Sequence, residues 1–259
     1  MAYGIQKADI PKIKHPKSKI YSIGRVRLCV TSDKFSLIRL DNLKKFEGWF
    51  KSNYEFYFYV SSGFVTVNYI RNKKEYSVEI FENHSFKFKK DDKLSIRSFY
   101  PKSVLFFFSS INILKKNLFK ELKNKPPKIK SPRKNKATRN YDFRDKYWGS
   151  IETIFSDDRI SGKIMMAKKD ITGSLEYHLN KYESYYIEEG SLKVGLRIGR
   201  AENISVNLKK NNSFSMFPGL MHCRMAIEDV KIIEISTKDE DSDSYLVEDG
   251  RYYKHIEKK

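Results

Sequence analysis

Gly173-Ser174-Leu175-Glu176-Tyr177-His178-Leu179-Asn180-Lys181-Tyr182-Glu183-Ser184-Tyr185-Tyr186-Ile187-Glu188-Glu189-Gly190 is the stretch on which the reading of the fold turns. Glu176 and His178 are two residues apart, so on a strand their side chains share one face. Glu183 follows five residues later and opens a second run of aromatic and β-branched residues. Further along, His222 comes directly after a turn, Phe217-Pro218-Gly219-Leu220-Met221. Two imidazoles and two carboxylates suit a divalent first-row metal such as Zn, Mn, Fe, Ni or Co. The spacing alone also fits a strand whose Glu and His are simply solvated.

Outward from this stretch the pattern stays β. Residues 163–168, 191–198, 204–208, 213–217 and 230–236 read as short strands. In the first half, residues 54–69 read YEFYFYVSSGFVTVNY, broken by the turn signal Ser61-Ser62-Gly63, and 77–88 and 104–109 add strands. Many short strands at regular spacing predict an all-β sandwich or barrel. The halves also echo each other: residues 182–194 resemble 54–67 with one insertion, and Ser213-Phe214 matches Ser85-Phe86. An internal duplication accounts for this. On that alignment Gly48, Phe50 and Leu94 stand where Glu176, His178 and His222 stand, and Glu55 matches Glu183. The first half is therefore expected to keep the barrel without the ligands, with His84 a surface residue in a turn.

The chain has 259 residues, 40% hydrophobic, enough for two ordinary domains with real cores. Its two cysteines, Cys29 and Cys223, give no disulfide framework and no zinc knuckle. No apolar run is long enough for a membrane helix, and the N-terminus has no apolar signal core. The expectation is a cytoplasmic protein without a membrane partner. The net charge of +19 belongs to the first half: residues 1–140 carry 32 Lys/Arg against 11 Asp/Glu. Such a surplus favours anionic partners, although solvated lysines explain it as well. Without a helix-turn-helix, zinc-finger or RNA-binding signature, nucleic acid is not expected. Residues 123–139, KNKPPKIKSPRKNKATR, hold eight basic residues, three prolines and no acid. They predict a basic linker over 123–140, between a domain at 1–122 and another at 141–259. A short amphipathic helix is expected over 111–124.

The order Gly173, Glu176, His178, Glu183, Gly190, followed by Pro218-Gly219 and His222, resembles the two metal-binding motifs of the cupin superfamily. The resemblance implies two tandem cupin barrels, double-stranded β-helices of jelly-roll type, with Glu176, His178, Glu183 and His222 as ligands in the second. Tyr147-Trp148-Gly149-Ser150-Ile151-Glu152, Ser174-Leu175-Glu176-Tyr177-His178, and Ile233-Glu234-Ile235-Ser236-Thr237 with Leu246-Val247-Glu248-Asp249-Gly250-Arg251 look like segments of the cupins similar to type II mannose-6-phosphate isomerases. That family implies a metal-dependent aldose–ketose isomerisation or epimerisation of a sugar or sugar phosphate. Glu176 or Glu183 would then be the base, Lys181 and Arg251 would hold an anionic group, and Tyr186 and Arg224 would face the cavity. A homodimer is implied too. The sequence departs at Glu176, where the family often has Gln or His, and it lacks a guanylyltransferase half. An Fe(II) oxygenase or lyase, or a non-catalytic bicupin binding an anionic ligand, are the alternatives.

Overall fold

The computed structural model describes residues 9–21, 24–41, 49–97, 100, 102–111, 119–122, 129, 131–139, 141–199 and 201–257. They form strands almost throughout, with no α-helix among them. The strands are β1 (Ser18–Tyr21), β2 (Gly24–Thr31), β3 (Ser36–Asp41), β4 (Trp49–Ser52), β5 (Phe56–Ser62), β6 (Phe64–Arg71), β7 (Lys74–Phe81), β8 (His84–Phe88), β9 (Lys93–Arg97), β10 (Val104–Ser109), β11 (Phe119–Leu122), β12 (Arg133–Lys136) and β13 (Thr138–Arg139). They continue as β14 (Tyr141–Lys146), β15 (Gly149–Ser156), β16 (Ile160–Ala167), β17 (Leu175–Tyr177), β18 (Glu183–Glu189), β19 (Ser191–Arg197), β20 (Ile204–Lys209), β21 (Ser213–Met216), β22 (Met221–Ala226), β23 (Val230–Thr237) and β24 (Tyr245–Glu248).

Contacts divide the chain into one unit over Lys17–Tyr141 and a second joining Asp142–Lys259 with the segment up to Pro16. In the second unit, Lys14 exchanges backbone hydrogen bonds with Ser213, and Ile10 and Ile13 pack on the core. The sheets of this unit run β14-β15-β16-β23-β18-β21 and β20-β19-β22-β17-β24. Those of the first run β1-β2-β3-β10-β5-β8-β13 and β11-β4-β9-β6-β7-β12. Apart from β12 and β13, the two orders match strand for strand. Each unit is thus a jelly roll of two sheets around one core, as the alternating pattern predicts.

The matching turns are glycines for a physical reason. Gly63 (φ +78°) and Gly190 (φ +74°) close equivalent hairpins in the left-handed region. A Cβ at either would strike the residue just before the next matching strand, Ser103 or Asp229.

Two expectations change. Phe119–Leu122, placed in a helix by its apolar spacing, is a strand paired with β4, and 112–118 lie outside the described residues. Part of the expected linker is also strand: β12 pairs in parallel with β7, and β13 with β8. Exposed sheet edges offer unpaired backbone groups, and this segment satisfies them despite its charge.

Candidate metal centre

The second barrel holds the site in its interior. Glu176 on β17 lies opposite His222 on β22, while Glu183 opens β18 on the facing sheet. Glu176, His178 and His222 each offer one ligand atom within 4.8 Å of the others. Glu183 completes the group: its Oε1 is 2.9 Å from His222 Nε2 and its Oε2 3.6 Å from His178 Nε2. Both imidazoles turn Nδ1 away from the cavity. His178 Nδ1 donates to the Asp243 carbonyl at 2.8 Å, and His222 Nδ1 to that of Leu220 at 3.0 Å. A carbonyl only accepts, so each Nε2 is left with its lone pair facing inward.

The donor set fits a divalent cation on the structure's own terms. His222 Nε2 is completely buried yet has no aligned hydrogen bond despite its nearness to Glu183, and such a buried nitrogen is costly unless something binds it. Burial works against the His222 imidazolium, but Glu183 and Glu176 outweigh it and hold its pKa above the ordinary value. For Glu183, burial opposes the charge, and Lys181 and the two imidazoles overcome this and hold its carboxyl well below the usual range. The carboxylates that raise the His222 pKa direct negative charge at the point its Nε2 faces, which a divalent cation can answer.

Around these groups the ion pairs are dense. Arg224 donates to Glu176 Oε1 at 2.5 Å and to the Tyr185 hydroxyl at 2.6 Å, and its guanidinium lies 5.2 Å over the Trp148 ring. Tyr185 in turn donates to Glu183 at 3.0 Å. Lys181, only 6% exposed, contacts Glu183 at 2.8 Å, Asp239 at 3.3 Å and Glu234 at 3.6 Å. The cavity they enclose is ≈ 400 Å³, with Arg144, Lys146 and Tyr147 among its other walls.

Sequence profiles of protein families give no match to the chain, and no curated protein matches either. Solved structures do. A Bacillus subtilis oxalate decarboxylase structure at pH 4.6 superposes with TM-score 0.71 at 12% identity, over 93% of this chain and 77% of the other. Another, from work on the Mn(II) centres of that enzyme, gives TM-score 0.69 at 11% identity, over 90% and 77%. The chain has the bicupin fold. At such identity the likeness extends to the fold alone.

Within this bicupin fold, the four expected ligands converge, and Lys181 and Arg224 reach the same cavity. Two other candidates do not. Arg251 is exposed, held by Asp249 at 2.6 Å and flanked by the Tyr147 and Tyr252 rings. Tyr186 is buried on the opposite face of β18 and donates to Asn211 at 2.9 Å. Its neighbour Tyr185 holds the inward place, as counting by twos from Glu183 would have found. Glu234, Asp239 and Lys163 also line the cavity, although the sequence reading gave them no role. Glu234 lies in the segment Ile233-Glu234-Ile235-Ser236-Thr237, and its place on β23 opposite Tyr185 needs the sheet register.

In the first barrel the register corrects the alignment. β5 and β18 run seven residues to the same glycine turn, so Phe56, not Glu55, matches Glu183. β4 pairs Phe50 with Leu94 as β17 pairs Glu176 with His222, so Phe50 matches Glu176 and Ser52 falls at His178. The same register sets Phe58, Ile96 and Phe107 against Tyr185, Arg224 and Glu234. Phe56, Phe58, Leu94, Ile96 and Phe107 pack in one apolar core, with Phe58 and Phe107 4.6 Å apart and Phe56 stacked on Phe88 at 5.3 Å. Where one barrel holds charge around a cavity, the other holds hydrocarbon. His84 opens β8 beside its turn, Nδ1 2.9 Å from the Glu82 carbonyl.

Proposed function

We propose that the second barrel is a metal-dependent enzyme site acting on a sugar or sugar phosphate, by aldose–ketose isomerisation or epimerisation. The carrying observation is a cavity of ≈ 400 Å³ in which the ligand cluster shares its walls with a buried carboxylate that accepts no hydrogen bond at one oxygen, Glu234 Oε1. Moving a proton between adjacent carbons needs an available base within the site. Glu176 and Glu183 suit this less well than expected, because Arg224 and Lys181 hold them as low-pKa carboxylates. Glu234 is 3% exposed and stands with the site's charged groups on the inner face. It takes and returns the proton, while Lys181 steadies the charge on Glu183, Glu234 and Asp239. Arg224 keeps Glu176 ionised and orients Tyr185. A bound divalent ion would supply Lewis-acid polarisation of the substrate carbonyl. Arg144 and Lys146, two apart on β14 and both on the cavity wall, replace Arg251 as the holders of an anionic end.

The test is incubation of the metal-loaded protein with aldose phosphates in deuterated water. Deuterium should enter the carbon next to the carbonyl. Glu234→Gln should cut this exchange by about 10²–10⁴-fold while leaving metal affinity unchanged. Exchange that survives in E234Q removes Glu234 from the mechanism, and no exchange with any aldose phosphate sinks the reading.

A second reading is oxygenase or lyase chemistry on a small carboxylic acid, because two histidines and a carboxylate leave open metal positions suited to it and the structural neighbours include oxalate decarboxylases. A two-carbon diacid would leave most of this cavity to water. Oxygen uptake or carbon dioxide release from small diacids, without deuterium exchange, would favour it. The expected homodimer stays part of the proposal and is checked by sedimentation equilibrium.

A further inference from the structure

The segment after β23 reads Lys238-Asp239-Glu240-Asp241-Ser242-Asp243, and its three aspartates take three kinds of partner. Asp239 pairs with Lys163 at 2.5 Å and Lys181 at 3.3 Å. Asp241 pairs with Arg144 at 2.9 Å at the cavity wall. Asp243, only 8% exposed, turns to backbone instead. Its carboxylate accepts the N–H groups of three successive residues: Leu179 at 2.9 Å, Asn180 at 3.0 Å and Lys181 at 2.9 Å. The Asn180 side-chain amide adds a bond at 3.3 Å. The same residue's carbonyl accepts Nδ1–H of His178 at 2.8 Å.

One residue therefore holds the His178 ring and the loop that follows it. Consecutive N–H groups converging on a carboxylate fix the loop backbone by charge-assisted bonds. That anchorage places the Asp243 carbonyl, and the carbonyl fixes the rotation and tautomer of His178, so Nε2 faces the cavity before anything binds there. No other described residue makes both contacts. The turn that carries Asp243 is a single stretch of 3-10 helix, Asp241–Asp243, whose other side-chain anchor is the Asp241 pair with Arg144.

We infer that Asp243 is a positioning residue that presets His178 as a metal ligand. This rests on the reading of the second barrel as a metal site. Its direct contact with the ligand set is His178, so a double-mutant cycle with His178 separates that part from general stability.

The test is Co(II) titration of the metal-free full-length protein, followed by visible absorption. Asp243→Asn should weaken Co(II) binding by about tenfold to a hundredfold. In a His178→Ala background the same change should add less than about twofold. Asp241→Asn, in the same turn, should leave affinity within about twofold of the parent. Unchanged affinity in D243N overturns the inference. So does an equal loss with and without His178, which would assign Asp243 a merely structural part. If D243N does not fold, Asp243→Ser keeps an acceptor and runs the same cycle. Failure of the unaltered protein to bind Co(II) overturns the metal reading itself, a result distinct from either.

Discussion

Tyr185 and Tyr186 are neighbours in sequence with opposite surroundings, because a strand sends successive side chains to opposite faces. Tyr185 links Arg224 to Glu183 behind the cavity wall, whereas Tyr186 bonds Asn211 on the far face. Removing the Tyr185 hydroxyl leaves a buried guanidinium and a buried carboxylate each one bond short, a loss of about 1–3 kcal/mol. Removing that of Tyr186 costs about 1 kcal/mol. Urea unfolding should show this order, and only Tyr185→Phe should alter the Co(II) spectrum. Equal spectra in both variants would place Tyr185 outside the site.

At the scale of elements, β14 and the acidic turn after β23 decide what the cavity wall presents. β14 brings Arg144 and Lys146, and the turn answers with Asp241. The tail after β24 brings Arg251 over the Tyr147 ring, with Asp249 as its partner. Phosphate binding to the metal-loaded protein should distinguish them. Calorimetry should show Arg144→Ala or Lys146→Ala losing about tenfold to a hundredfold, the worth of a charge-assisted hydrogen bond, and Arg251→Ala unchanged. The reverse order would restore Arg251 as the anion-holding residue.

For the whole molecule, one barrel carries ligands and the other a packed interior. The expected stoichiometry is one metal per chain by elemental analysis, and two per chain would contradict the match of Phe50, Ser52, Phe56 and Leu94 to the ligand positions. The buried ion pairs also set a pH response. Burial pushes the Asp239 carboxyl up, but Lys181 and Lys163 outweigh it and bring it below the ordinary aspartate value. Glu183 is displaced the same way. A carboxyl with a depressed folded pKa adds stability that is complete above its unfolded pKa and lost as pH falls through its folded one. The metal-free protein should therefore lose stability on acidification below about pH 4, followed by circular dichroism. Asp239→Asn should be less stable at neutral pH and show a shallower acid limb. An unchanged limb would place the acid-sensitive group elsewhere.

Sequence by itself determined the strand content and the duplication, because alternation along strands and glycine-marked hairpins are local properties of the chain, and its likeness to the cupin motifs named Glu176, His178, Glu183 and His222 as candidate ligands. The same likeness named Lys181 and Arg224 as candidates, and each stands two residues from a candidate ligand. Only the tertiary structure decided which first-half residues occupy the ligand positions, since one inserted residue shifts every face and just the sheet register reveals where it falls. It alone brought Glu234, Lys163, Asp239 and Asp243 to the site, as their strands and turn are distant in sequence from Glu176 and meet it through pairing across the barrel. It also turned Arg251 outward and drew the basic segment onto two sheet edges. Both outcomes depend on which backbone and charged partners lie within reach, and composition does not encode that.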